Sequence, residues 1–149
     1  MNEEHSLELA ESIARIIPAL GKKIIRPTEQ LKSVYTPLQM NTLSILAKGK
    51  SFTMSELAQE MSMSNQQMTA VINQLADKKI VSRTHDKADR RVVRISITKT
   101  GEKVLAENNK RLAKMFANQI IAYSEEDYED LKSCLESLEN ILERINKYQ

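Results

Sequence analysis

The chain has 149 residues, enough for one domain or two small lobes, and its 41% hydrophobic and 28% charged residues exclude disorder throughout. The formal net charge of +2 does not by itself indicate a polyanionic partner. A single cysteine excludes an internal disulfide, two histidines leave no metal-ligand cluster, and three glycines exclude a glycine-rich phosphate loop. No segment approaches the roughly 18 apolar residues of a membrane span and the polar N-terminus is unlike a signal peptide, so we expect a cytoplasmic protein without metal or cofactor.

The first predicted element is a helical stretch over about residues 6–33. Its apolar residues recur at spacings of three or four and form one stripe of Leu9, Ile13, Ile16, Leu20 and Ile24. Because proline interrupts helical hydrogen bonding, Pro18 and Pro27 predict a kink or a break within this stretch.

Four capping boxes then mark helix starts, each with a Ser or Thr followed three residues later by a side chain that can bond back. The boxes begin at Thr36, Thr53, Ser64 and Ser124. The first precedes a helix over about 37–47, and the next two precede helices ending near Glu60 and Lys78. The two latter helices are joined by a tight connection, so residues 53–78 predict a helix–turn–helix.

After this pair the hydrophobic period changes from about 3.6 to 2. Residues 80–84 and 92–97 predict two strands joined by a polar loop, with Val93, Ile95 and Ile97 on one face of the second strand. A two-stranded hairpin is marginal alone and must pack on the helical pair. A helix–turn–helix followed by such a hairpin is a winged helix, predicted here over residues 36–98, with the wing at 80–98.

Two long helices, at about 99–122 and 125–146, complete the chain; Thr98 is a candidate cap for the first. The last helix carries an apolar seam with alternating spacings of four and three, formed by Leu131, Leu135, Leu138, Leu142 and Ile145. One copy of this small chain has little left to cover that seam, so we expect a homodimer. The predicted class is mostly α with a small β-hairpin wing.

Basic charge is concentrated in one part of the chain. Residues 78–99 hold eight basic and two acidic side chains, a net +6, whereas the other segments together carry −4. A local basic concentration is the electrostatic footprint of a protein that binds a polyanion. The distribution therefore favours double-stranded DNA as a partner, although the net charge is small.

The second helix of the pair offers a polar face to DNA. Its predicted buried face consists of Met68, Val71, Ile72 and Leu75, and its predicted DNA-binding residues are Asn65, Gln66, Gln67, Thr69, Ala70 and Asn73. Amides match adenine, and short methyl-bearing side chains match the thymine methyl group. This face predicts an inverted repeat rich in A and T. The alternative is a solvated helix face, which the basic hairpin directly afterwards makes the weaker interpretation.

The hairpin adds cations that suit a narrow, strongly negative minor groove. The predicted contacts are Lys87, Arg90 and Arg91 at the loop, with Arg83 and Arg94 on the strands. Asp89 can pair with Arg91 across the turn and orient it. The alternative is a solvated turn, in which an exposed ion pair contributes little to stability.

Together these residues resemble the MarR family of multiple-antibiotic-resistance regulators, over the whole chain, 1–149, in length and helix order. The most telling features are the Asp-x-Arg of Asp89–Arg91 and the Thr-x-x-Gly of Thr98–Gly101. The other residues that carry the resemblance are Leu57–Met61, Thr69, Leu75, Ile80–Arg83, Asp86 and Val92–Ile97.

The resemblance implies a homodimeric transcription factor, for which we expect a repressor role. It implies that the helix at 65–78 enters the major groove, that the wing reaches the minor groove, and that helices in 6–33 and 99–146 form the dimer. It also implies a small-molecule effector between the lobes, where Tyr35, Met40 and Asn41 would lie. Ordinary core packing is the alternative role for these three residues.

Two positions depart from the family pattern. Ala70 stands where a basic residue commonly follows the threonine of the recognition helix, and Lys79 stands where a glycine usually closes that helix. Lys79 must therefore adopt a left-handed cap at some strain, or the helix must end differently.

Other functions are less favoured. A winged-helix module that binds protein without specific DNA binding is the main alternative, but its wing would show apolar or acidic residues. No nucleophile–base set is visible, so we do not expect an enzyme. For Cys134, among the leucines of the last helix, we expect core or dimer packing rather than redox sensing.

Overall fold

A computed structural model describes residues 3–20, 22, 33–49, 51–86 and 88–145. Within them the elements follow in the order α1 (Glu3–Leu20), α2 (Pro37–Leu46), α3 (Met54–Glu60), α4 (Asn65–Asp77), β1 (Val81–His85), β2 (Val93–Ile97), α5 (Lys99–Ile120) and α6 (Glu125–Ile145). The predicted class, mostly α with a β-hairpin wing on a helix–turn–helix, is confirmed. None of the described helices is both long and apolar enough to cross a membrane. The chain forms two compact units, Met1–Arg111 and Leu112–Gln149.

Local capping decides where the short helices begin. At α2, Thr36 Oγ1 accepts a hydrogen bond from Gln39 N (3.2 Å), and Gln39 Oε1 accepts one from Thr36 N (3.0 Å). The same reciprocal boxes open α3 at Thr53 and α4 at Ser64, as predicted. At α6, Ser124 accepts from the amide of residue 127 but donates its hydroxyl to the carboxylate of that residue. Ser124 therefore caps α6, but the return bond comes from its hydroxyl and not from its backbone N–H, so the predicted reciprocal box is not formed.

Both helices of the helix–turn–helix end in a left-handed residue that is not glycine. Ser62 (φ 50°) follows α3 and Lys79 (φ 58°) follows α4. At Lys79 the chain forms a Schellman motif, in which Ile80 N donates to Leu75 O (2.9 Å) and Lys79 N donates to Ala76 O (2.8 Å). Of the two endings considered for Lys79, the structure has the strained left-handed cap.

The wing is an antiparallel hairpin in which Val81 pairs with Ile97 and His85 with Val93. The second predicted strand began one residue early, and His85 belongs to β1 rather than to the loop. Val93, predicted on the same face as Ile95 and Ile97, is 40% exposed whereas Ile95 is buried, because Val93 pairs with His85 at the loop end of the hairpin. Phe52, just before α3, forms two backbone hydrogen bonds with Ile95 (3.0 and 2.7 Å), which attach the hairpin to the helical pair.

One hydrophobic core unites the winged helix. Its fully buried residues come from α2, α3, α4, β2 and the residue just before β1: Leu43, Leu46, Leu57, Met68, Ile72, Leu75, Ile95 and Ile80. Thr98 caps α5, because its Oγ1 accepts from Gly101 N (3.1 Å) while donating to the Lys79 carbonyl (2.8 Å). A Cβ on Gly101 would lie 2.3 Å from Ile80 O, so only glycine allows α5 to start this close to the hairpin.

Two helices present apolar side chains to solvent. On α1 the predicted stripe is exposed at Leu9, Ile13 and Ile16. The predicted stretch to residue 33, with Ile24 and Pro27, otherwise lies largely outside the described residues, and Pro18 lies inside α1. On α6 no residue is buried, and about half of each seam residue after the first is exposed: Leu135, Leu138, Leu142 and Ile145. Cys134 is exposed too, which excludes its packing in the core of a single chain.

Candidate nucleic-acid interface

The two faces of α4 are divided as predicted. Met68, Val71, Ile72 and Leu75 are buried. On the opposite side the predicted DNA-binding residues Asn65, Gln66, Gln67, Ala70 and Asn73 are exposed, and Thr69 is half-buried. The packed apolar face fixes the orientation of α4, and this keeps the polar face toward solvent.

Internal hydrogen bonds limit what this face can offer a base. Thr69 Oγ1 donates to Asn65 O (2.7 Å), which uses its only proton and leaves the methyl group and the two lone pairs of the oxygen for an outside partner. Gln67 Oε1 accepts from Ser64 N (3.1 Å) in the capping box, which leaves the amide NH₂ of Gln67 for an outside partner. Gln66 and Ala70 are exposed without any such role in the cap.

Asn73 is joined to the wing. Arg83 on β1 donates a hydrogen bond from Nη2 to Asn73 Oδ1, and both side chains are exposed. Both residues are predicted DNA contacts from the sequence. Their hydrogen bond to each other was not predicted, because it depends on how β1 packs against α4. This pair therefore connects α4 to the first strand of the wing.

Asp89 shapes the wing tip through the backbone. Its Oδ1 accepts from Arg91 N (2.9 Å), and its carbonyl accepts from Val92 N (3.0 Å), which closes the turn. Asp89 therefore pairs with the Arg91 backbone amide, and the predicted ion pair with the guanidinium is not found among the described residues. Arg90 and Arg91 are exposed, whereas Lys87 lies outside the described residues.

Arg94 occupies a different position from the other predicted contacts. Its Nε lies 2.8 Å from Asp86 Oδ2 and its Nη1 lies 3.5 Å from Glu56 Oε2, so two carboxylates balance its charge. Arg94 thereby ties β2 to the loop and to α3. Its predicted DNA contact remains untested, but its observed partners indicate that it positions the wing.

The same cluster perturbs three ionisation equilibria. The hydrogen bond from Arg94 and the amides of Ala88 and Asp89 lower the pKa of Asp86 below its ordinary value. Hydrogen bonds from Thr53, with a smaller contribution from Arg94, lower the pKa of Glu56. The bond to Asp86 raises the pKa of Arg94. All three groups are therefore charged at neutral pH, and the charge pairing at the wing base is maintained.

Two further contacts at this surface were not foreseen from sequence. The exposed His85 has Nδ1 2.8 Å from Arg90 O. Because a carbonyl only accepts, Nδ1 carries the proton here. Gln39, buried in α2, donates from Nε2 to Gln74 Oε1 on α4 (2.7 Å). The Gln39–Gln74 pair lacks a short-range sequence signal, because its two residues are 35 positions apart along the chain.

One of the three candidate effector residues lines a cavity. Tyr35 contributes to a cavity of about 150 Å³ together with Ser33, Val34, Val104, Glu107, Asn108 and Arg111. Met40 is instead part of the core, which supports core packing as its role, and Asn41 is exposed and donates to Met61 Sδ (3.6 Å). Within the described ranges, no group of His, Cys, Asp or Glu side chains is arranged to hold a metal ion.

A helix–turn–helix followed by a two-stranded basic hairpin defines the class of winged-helix proteins, and comparison with known proteins agrees. The model of the MarR family matches residues 35–93. The HTH-type transcriptional repressor MdtR of Bacillus subtilis (strain 168) is 33% identical over 99 residues, which cover 64% of this chain and 63%, less than two thirds, of MdtR. The uncharacterized HTH-type transcriptional regulator YpoP of the same organism is 30% identical over 101 residues, covering 68% and 72% of the two chains.

Solved structures show the same fold. A MarR family protein from Bacillus stearothermophilus superposes with a TM-score of 0.68 at 24% identity, covering 95% of this chain and 98% of the other. A point mutant of Staphylococcus aureus MepR, bound to an oligodeoxyribonucleotide, superposes with a TM-score of 0.61 at 23% identity, covering 90% and 97%. This chain belongs to the MarR family.

Proposed function

We propose that the protein is a homodimeric repressor that binds an inverted repeat rich in A and T and responds to a small-molecule effector. The observation that carries this proposal is the exposed amide-rich face of α4 beside the wing arginines on one packed lobe. In this arrangement α4 enters the major groove and the wing reaches the adjacent minor groove.

The predicted base preference follows from the chemistry of the α4 face. The exposed Gln66 amide pairs a donor and an acceptor with adenine, and the methyl groups of Thr69 and Ala70 suit thymine. No Arg or Lys lies on α4, and bidentate Arg or Lys contacts are the commonest means of reading guanine. Wing arginines add a preference for the narrow minor groove of A-tracts.

Homodimerisation would cover the exposed apolar stripes. Among the described side chains, five exposed aliphatic residues on α1 and five on α6 would otherwise remain in water: Leu7, Leu9, Ile13, Ile16 and Ile17, and Leu135, Leu138, Ile141, Leu142 and Ile145. Contiguous apolar patches of this kind mark association surfaces. A two-fold axis would place the two copies of α4 about 34–36 Å apart, one turn of DNA.

Cys134 on α6 would then lie in the dimer seam. Peroxide should therefore leave DNA binding unchanged in the wild type and in Cys134→Ser.

Two observations support repression and a response to an effector. The relative MdtR is described as a repressor, and the cavity beside Tyr35 is the candidate effector site. Tyr35 also lies under the ammonium of Lys78 (4.8 Å to the ring centroid), just beyond the end of α4. A ligand that displaces Tyr35 would therefore act on the end of the recognition helix.

Sedimentation and a gel-shift assay with the DNA upstream of the protein's own gene test this function together. We expect a dimer at micromolar concentration and a discrete shifted complex that survives excess unrelated DNA. A truncation before Ser124 should abolish the dimer. Gln66→Ala should relax the preference for the site, whereas Asn109→Ala, which removes an exposed amide from α5, should not. A monomer, or binding that unrelated DNA competes away equally, would contradict the proposal and favour a protein-binding module.

A further inference from the structure

The contact between Arg83 and Asn73 has a fixed polarity. A guanidinium carries only donors, so the atom of the Asn73 amide that faces Arg83 must be its acceptor, Oδ1. An unrestrained asparagine can exchange donor and acceptor by rotating its amide through half a turn. Here that rotation would place the NH₂ group against a cation, so the bound orientation is enforced.

This polarity changes how Asn73 can read a base. The usual asparagine contact with adenine donates to N7 and accepts from the N6 amino group through Oδ1. In this protein Oδ1 already accepts from Arg83, and the adjacent positive charge disfavours a second donor such as N6-H. The Asn73 NH₂ remains free to donate, and Arg83 retains further N–H groups. Purine N7 and guanine O6 are acceptors that suit this pair.

We propose that Arg83 and Asn73 read one base position as a unit and select guanine there, as the exception in an otherwise A- and T-rich half-site. This inference rests on the proposed function, because it concerns the same interface. Arg83 suits this role because α4 itself has no arginine or lysine. The guanidinium that reads guanine is therefore supplied from β1.

Selection from random duplex DNA with the wild type and with Asn73→Ala identifies the base position, as the one whose preference Asn73→Ala relaxes. Competition assays then compare G and A at that position in both half-sites. We expect the wild type to prefer G by roughly five- to 150-fold. Arg83→Ala should lose that preference and bind the A-containing site at least as well, because the amide is then free to pair with adenine.

Three further variants make the test specific. Arg83→Ala combined with Asn73→Ala should show the same base preference as Asn73→Ala alone, since the two residues act as a unit. Arg83→Lys keeps the charge without the fork and should also weaken the preference for G. Arg90→Ala removes an exposed arginine of the wing that does not contact Asn73, and should lower affinity without changing the base. Thermal unfolding confirms that each variant is folded.

The results of these assays distinguish a failure of the guanine preference from a failure of sequence-specific DNA binding. A wild type that enriches an inverted repeat with A at the Asn73 position would overturn the inference alone. So would an Arg83→Ala protein with unchanged base preference, a uniformly lower affinity and a salt dependence reduced by about one phosphate contact. A wild type that enriches no site would overturn the proposed function, and this inference with it.

Discussion

Arg94 on β2 and Asp86 at the end of β1 form an ion pair with 2.8 Å between Nε and Oδ2. Asp86 uses its other oxygen to accept from the amides of Ala88 (2.8 Å) and Asp89 (3.3 Å), so one carboxylate organises both the strand pair and the start of the loop. Glu56 extends the contact to α3. The wing is therefore oriented by a charged cluster at its base, which leaves Arg90 and Arg91 exposed at the tip.

This division predicts different salt dependences for two arginines. Arg91→Ala should weaken DNA binding and reduce the magnitude of the slope of log K against log salt by about 0.9, because one phosphate contact is lost. Arg94→Ala should weaken binding with little change in slope, because Asp86 and Glu56 already balance its charge. Fluorescence anisotropy with labelled duplex from 50 to about 200 mM salt measures both. Equal losses of slope would show that Arg94 contacts phosphate directly.

A second prediction concerns the turn that carries Arg91. Asp89→Ala should weaken DNA binding although it removes a negative charge close to DNA, because the Arg91 amide loses its acceptor. Asp89→Asn keeps an acceptor oxygen and removes the charge, so it should bind at least as tightly as the wild type. Gel-shift titrations of the three proteins decide the matter. Tighter binding by Asp89→Ala would mean that only bulk electrostatics operates at this position.

A third prediction concerns the end of the recognition helix. Lys79 has φ 58°, which costs a residue with a Cβ about 1–2 kcal/mol. Lys79→Gly should relieve that strain and, after the greater entropy of glycine in the unfolded chain, raise the free energy of unfolding by about 0.5–1 kcal/mol. Lys79→Ala retains the Cβ and is the control. Urea denaturation of both variants should separate them, and equal stabilities would argue against strain.

A fourth prediction concerns the packing of α5 on the hairpin. Gly101→Ala would bring a Cβ to 2.3 Å from Ile80 O and 2.7 Å from Ile97 Cγ1. We expect a loss of about 1–3 kcal/mol in the free energy of unfolding, although alanine favours a helix by about 1 kcal/mol over glycine. Thr100→Ala, exposed in the same helical turn, should be neutral or stabilising. Thermal melts in which both variants gain stability would contradict the close approach.

Local features of the sequence predicted most of the winged helix. The boxes at Thr36, Thr53 and Ser64 span four residues each, so their donors and acceptors meet whatever the rest of the chain does. The spacing of the apolar residues of α4 likewise placed Met68 and Leu75 in the core and left the amides outside. These predictions succeeded because they depend on helix geometry alone.

The relations that failed or were missed depend on distant partners. Phe52 pairs with Ile95, Arg83 with Asn73, and Arg94 with Asp86 and Glu56. No short-range pattern reveals which of several exposed arginines meets a carboxylate, because strand register and loop shape decide it. The same limit applies to the candidate effector residues, of which Tyr35 alone lines the cavity.

Selection of bound duplexes from random DNA by the wild-type protein is the decisive measurement. It should enrich an inverted repeat whose half-sites are centred about 10–10.5 base pairs apart. Each half-site should be rich in A and T, apart from the position assigned to Asn73 and Arg83. Enrichment of a single unpaired half-site, of guanine at most major-groove positions, or of no sequence at all would contradict this prediction.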